Sequence, residues 1–219
     1  MCFSATASFT AGVSLSVLGA LVLKKTKRNA EIPFAMVPLL FGVQQLIEGM
    51  LWLSFQFDVP LLKMTATHGF TLFSHVLWPI FIPFSIGLVE TAAWRKKVIW
   101  LFLTAGITVG LYNLYFIVTY PVISEVHCNI VYALPHFHKI QVMALYLAAT
   151  CVACFFSSHK MINIFGALAL VLFVAAYWFY SVAFLSVWCF FAAILSVVIY
   201  LHFTFEHERA PVFMRLRST

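Results

Sequence analysis

A carboxylate stands where hydrocarbon is expected. The stretch "FGVQQLIEGMLWLSF", residues 41–55, places Gln44, Gln45 and Glu48 inside an otherwise apolar run. A buried carboxylate can bind a cation, carry a proton, or act as a general base. Further along, "HGFTLFSHVLWP" sets His68 and His75 seven residues apart, on one helical face. Pro79 follows His75 by four residues and has no N–H, so the His75 carbonyl loses its helical partner. Glu48 and His75 are therefore the candidate acid–base residues.

The soft ligands are scattered. His127, Cys128, His136 and His138 fall in one long connection, and Cys2 lies at the start. Imidazole and thiolate select zinc or copper over magnesium or calcium. His75, His136, His138 and Cys2 form the candidate metal set, with Zn or Cu as the cofactor they would hold. A disulfide among Cys2, Cys128 and Cys189 is the rival use of those thiols. Cys151 and Cys154 form a C-x-x-C, here inside an apolar run, where cysteine also serves as a small core residue. Five cysteines make no disulfide framework.

The elements that must position these residues follow from composition. The 219 residues are 63% hydrophobic and 9% charged, with a mean hydropathy of +1.01. Soluble domains carry about 25% charged residues. This chain cannot cover a water-facing surface, and an all-α, polytopic membrane protein is expected. The net charge of +6 resides in short clusters between apolar runs, which argues against nucleic acid as a partner. The first apolar run precedes its basic cluster, so it reads as a retained helix rather than a cleaved signal.

With about 20 apolar residues per crossing, seven spans are expected near 6–23, 32–55, 67–89, 98–118, 140–157, 161–180 and 183–204. The last two are separated only at Tyr180–Val182. They form one domain, 1–204, followed by a basic tail, 205–219. Eleven of the thirteen Lys and Arg residues lie on alternate connections. That puts the N-terminus outside and the tail in the cytoplasm. Ser8, Gly12, Ser16 and Ala20, and separately Gly106 and Gly110, form small-residue ridges for close helix packing.

With this orientation the polar residues gather in the outer half. Gln44, Asn113, Tyr146, Trp188 and Cys189 become the candidate ligand-binding set around Glu48 and His75. The expected function is a polar pocket, open to the periplasm, that binds a small molecule or metal. Such a pocket would serve a hydrolase or transferase acting on lipid, with the bilayer itself as a source of ligand. A proton- or cation-coupled transporter and a non-catalytic assembly protein are the alternatives.

The start "MCFSATASF", with "PLLFGVQQLIEGMLW" at 38–52 and "SVWCFFAAILS" at 186–196, resembles a family of bacterial multi-pass membrane proteins grouped as a domain of unknown function. The resemblance implies the multi-span fold, in a bacterial inner membrane, and transfers no activity to any residue. Alkaline ceramidase-type hydrolases share the seven-span topology. Their histidine pair on the last span is absent, since His202 and His207 are five apart. The last span has no lysine for retinal.

Overall fold

The computed structural model describes residues 4–126, 130–133, 138–179 and 184–205. Among them, seven helices are long and apolar enough to cross a membrane: Ala5–Lys25, Asn29–Gln56, Pro60–Val89, Ala93–Thr119, Lys139–Phe156, Lys160–Phe179 and Val187–Phe205. These are the first to seventh spans of an integral membrane protein. The Tyr180–Val182 turn and the tail beyond Phe205 lie outside the described residues.

The first span starts at Ser4, whose hydroxyl accepts the Ala7 N–H at 3.2 Å as an N-cap. It packs along the second span through small residues. A side-chain carbon on Gly19 would meet the Leu39 backbone nitrogen at 2.6 Å, and one on Gly42 would meet the Ser16 hydroxyl at 2.6 Å. The ridge differs from the expected four-residue repeat. Ser8, Gly12, Leu15 and Gly19 are buried, whereas Ala20 is exposed. A 3.6-residue turn carries a strict four-residue repeat off the contact face, so Gly19 takes the place of Ala20.

Three spans are irregular. The second bends at Met36, between Pro33 and Pro38. The third contains a π-helical turn over Leu72–Leu77, immediately before Pro79. The fifth tightens into a 3₁₀ turn over Val152–Phe156. The connection 119–139, expected as plain loop, contains a hairpin of β1 (Ile123–Val126) and β2 (Ile130–Ala133), antiparallel with Ser124 opposite Tyr132. Four-residue strands are too short to stand out by alternation. The hairpin sits on the third span, where Ser124 and Thr67 hydroxyls are 2.7 Å apart and Tyr132 stacks on Phe70 at 4.5 Å.

The opposite end carries the basic connections. Lys25 donates to the Thr204 hydroxyl at 3.1 Å, joining first and seventh spans. Arg95 donates to the carbonyls of Phe156 and Ser157 at 3.3 and 3.1 Å. Buried Glu90 closes this basic face. Its carboxylate accepts the N–H groups of Thr91 and Ala92 at 2.9 and 2.8 Å. It also accepts the Ser158 N–H at 2.6 Å and the Ser158 hydroxyl at 2.7 Å.

Burial alone would push the Glu90 carboxyl up. The Ser158 hydroxyl and the N–H groups of Ala92, Ser158 and Thr91 outweigh burial and hold it below its ordinary 4.5. A carboxyl depressed on folding stabilises fully above its unfolded value. That contribution is lost as pH falls below about 4.5 through the folded value, because the unfolded chain then binds more protons. Hydrogen bonds to charged groups contribute about 1.5–3 kcal/mol each at most. Glu90→Gln is therefore expected to lower stability at pH 7 by roughly 2 kcal/mol and to flatten the acid limb of the stability profile. Thermal unfolding of both proteins between pH 3.5 and 7 measures this; parallel profiles would contradict it.

Candidate functional site

The second span builds one wall of the site. Gln44, Glu48, Trp52 and Gln45 fall within about a 100° arc of that helix. Gln44, Gln45 and Glu48 are completely buried. The Gln45 amide donates to the Glu48 carboxyl at 3.3 Å, and the Gln44 carbonyl accepts the Trp78 indole N–H at 2.6 Å. Trp78 stacks on Phe41, centroids 3.9 Å apart. The Trp78–Gln44 bond fixes the register of the antiparallel second and third spans. One turn toward the hairpin on each helix then brings Glu48 level with Ser74.

Ser74 and His75 lie in the π-helical turn, and Pro79 explains what surrounds them. In π register the Ser74 carbonyl would bond residue 79, and in α register the His75 carbonyl would; neither finds an N–H there. Neighbouring spans supply the missing donors. The Tyr146 hydroxyl donates to the Ser74 carbonyl at 2.6 Å, and the Asn113 amide donates to the His75 carbonyl at 3.2 Å. The Ser74 hydroxyl and His75 Nδ1 are 2.9 Å apart. Gly106 makes the fourth span's approach possible, lying directly on the Pro79 carbonyl.

All five residues expected to bind ligand are buried: Gln44, Asn113, Tyr146, Trp188 and Cys189. Three of them, Asn113, Tyr146 and Trp188, use their donors on backbone carbonyls, which the sequence did not reveal beyond the orphaned His75 carbonyl. Cys189 is a buried free thiol that lines a cavity together with Trp188 and Trp78. As a free thiol it takes no part in the alternative disulfide with Cys2 or Cys128. Ser74 was not anticipated, although its position beside His75, four residues before Trp78, was a usable signal.

Around the second and fourth spans four buried polar atoms have no hydrogen-bond partner among the described residues: Gln44 Nε2, Gln45 Oε1, Trp52 Nε1 and Asn113 Oδ1. Each such atom costs on the order of 1–3 kcal/mol when left unmade.

Beneath Gln44, on the side of the basic face, lies a cavity of about 30 Å³ between the second, third, fifth, sixth and seventh spans. Five aromatic side chains line it, among them Trp78, Tyr146 and Trp188.

The metal expectation finds no support here. Among the described residues no three His, Cys, Asp or Glu side chains converge on one point. His138 is exposed in a left-handed backbone conformation, and His75 is half-buried on the third span. Cys2, His127, Cys128 and His136 lie outside the described residues. Cys151 and Cys154 are separate buried free thiols, with the Cys154 thiol donating to the Thr150 carbonyl at 3.3 Å.

Over residues 1–214 the chain matches the family described as a family of unknown function, DUF6629, and it belongs to that family. No curated protein and no solved structure matches it.

Proposed function

We propose, for this family member, that the bundle binds a small molecule against the buried face of the second span, with Glu48 as its principal polar contact. The site opens toward the hairpin. The hairpin face is taken as external and the basic face as cytoplasmic, following the distribution of Lys and Arg. One observation carries the reading. Gln44, Gln45 and Glu48 are buried together in apolar surroundings, and spare donors and acceptors remain at Gln44, Gln45, Trp52 and Asn113. Such groups are costly without partners and mark binding or transport sites in membrane proteins.

The test is Glu48→Gln, which keeps the shape and removes the ionisable proton. Purified wild-type protein is expected to retain a small molecule detectable by mass spectrometry. The variant, with an unchanged size-exclusion profile, should retain at least about tenfold less, a difference of about 1.4 kcal/mol. Identical bound species in both proteins would refute the role of Glu48.

A specific bond favours an enzymatic form of this reading. A serine hydroxyl 2.9 Å from an imidazole nitrogen has the geometry of a nucleophile next to its base. In that form His75 Nδ1 takes the Ser74 proton as the hydroxyl oxygen bonds the acyl carbon of a lipid ester, and returns it to the oxygen of the departing alcohol as the ester C–O bond breaks. Labelling of Ser74 by a fluorophosphonate would support it, and absence of labelling would leave binding alone.

A further inference from the structure

We propose that the aromatic cavity is a cage for an N-methyl group of a tertiary or quaternary ammonium ligand. The inference rests on the binding site proposed above and names the chemistry of its ligand. Phe41, Trp78, Tyr146, Phe165 and Trp188 line the cavity, drawn from five different spans.

Every polar tip on this lining is tied away from the void. The Trp78 N–H goes to Gln44 at 2.6 Å, and the Trp188 N–H to the Ala169 carbonyl at 3.0 Å. The Tyr146 hydroxyl goes to the Ser74 carbonyl at 2.6 Å, and the Thr150 hydroxyl to the Tyr146 carbonyl at 2.8 Å. What remains facing inward is carbon and sulfur. Water needs two to four polar partners and finds none there.

Two kinds of guest suit such a wall: a neutral apolar group, or a cation held by aromatic rings. Charge decides between them. Trp78 forms part of the wall, its N–H is held by Gln44 at 2.6 Å, and Glu48 lies one turn from Gln44 on the same buried face. A neutral guest gains nothing from that carboxyl, whereas an ammonium is balanced by it. A primary ammonium would leave N–H donors unsatisfied against carbon. N-methylation removes them. The volume of about 30 Å³ suits one methyl group, with the nitrogen at the Trp78 side, toward Gln44 and Glu48. Either a free amine or a phospholipid headgroup can present this group.

The experiment titrates full-length purified protein by tryptophan fluorescence. The probes are choline, its neutral isostere 3,3-dimethylbutanol, and sodium chloride as the ionic control. Choline is expected to saturate and the isostere to bind at least about tenfold more weakly. Phe165→Leu leaves every hydrogen bond above intact and should weaken choline about tenfold. Ala169→Val, which fills the cavity, should abolish the response while raising thermal stability.

Nanodiscs containing phosphatidylcholine or phosphatidylglycerol identify the source. Competition by phosphatidylcholine alone assigns a headgroup, and its absence, with choline still binding, assigns a free amine. No saturable choline response, or an equal response to the isostere, overturns the cage. If Glu48→Gln still loses a co-purifying ligand in that case, the binding site stands and only the ammonium chemistry fails.

Discussion

Gly106→Ala is expected to yield almost no folded protein. A methyl group there would overlap the Pro79 carbonyl oxygen and sit 2.7 Å from its carbon. Both atoms are backbone, and the proline fixes their path, so no rotamer change relieves the contact. The fourth span would have to move away from the third by more than an ångström, pulling Asn113 from the His75 carbonyl on the same face. A cost above about 4 kcal/mol is expected, in the range reserved for severe core disruption.

Two other glycines calibrate the claim. Gly110→Ala would meet the Ile80 Cδ1 at 2.8 Å, the end of a flexible side chain, and should cost about 1–2 kcal/mol. Gly69→Ala would meet its nearest neighbour, Ile47, at 3.4 Å and should be neutral or stabilising by up to about 1 kcal/mol. Fluorescence-detected size exclusion and melting temperatures rank the three. Equal yields for Gly106→Ala and Gly69→Ala would show that the close approach is wrong.

The second large effect concerns the carbonyls that Pro79 leaves open. Tyr146→Phe removes the donor to the Ser74 carbonyl without changing the ring. With no water in apolar surroundings to replace it, the loss should be about 2–3 kcal/mol. Pro79→Ala restores an N–H at position 79, which can then serve the Ser74 or the His75 carbonyl. On that background Tyr146→Phe should cost about 1 kcal/mol or less. The cycle therefore predicts a coupling of about 1.5 kcal/mol between two residues that are not hydrogen-bonded to each other. Additive losses would mean that the tyrosine does not act through the broken helix.

Most of the crossings were legible because each is a long apolar run bounded by charge, and the sixth and seventh because together they are too long for one span. Their limits in the structure agree with the expected ones to within a few residues, except the third and fourth, which begin earlier at Pro60 and Ala93. Pro60 opens its helix where lost N–H groups cost nothing, and the Arg95–Lys97 cluster continues as helix, though both read as connection. Glu48 and the effect of Pro79 were legible for a physical reason. Each is a local violation, a charge in hydrocarbon and a missing donor. What came to satisfy them was not legible. Tyr146, Asn113 and Trp78 reach their partners across 34 to 72 residues of sequence, and no periodicity encodes which helix lies beside which. The aromatic cavity was hidden for the same reason, since its lining comes from five spans whose adjacency appears only in three dimensions.

The Gln45–Glu48 contact has a consequence for how the chain is made. The first two spans pack on each other across a short connection, so they can pair as soon as both have left the ribosome. Trp78 is synthesised some 30 residues after Glu48, and Cys189 about 140 residues after it. At 5–20 residues per second, the carboxyl waits roughly 7–28 s before the last wall of its site exists. During that interval it must enter or border the bilayer with the help of its own helix. Gln45, three residues back and on the same face, is a hydrogen-bond donor available from the start. Gln45 thus gives the acid a partner from its own helix before the rest of the bundle has formed.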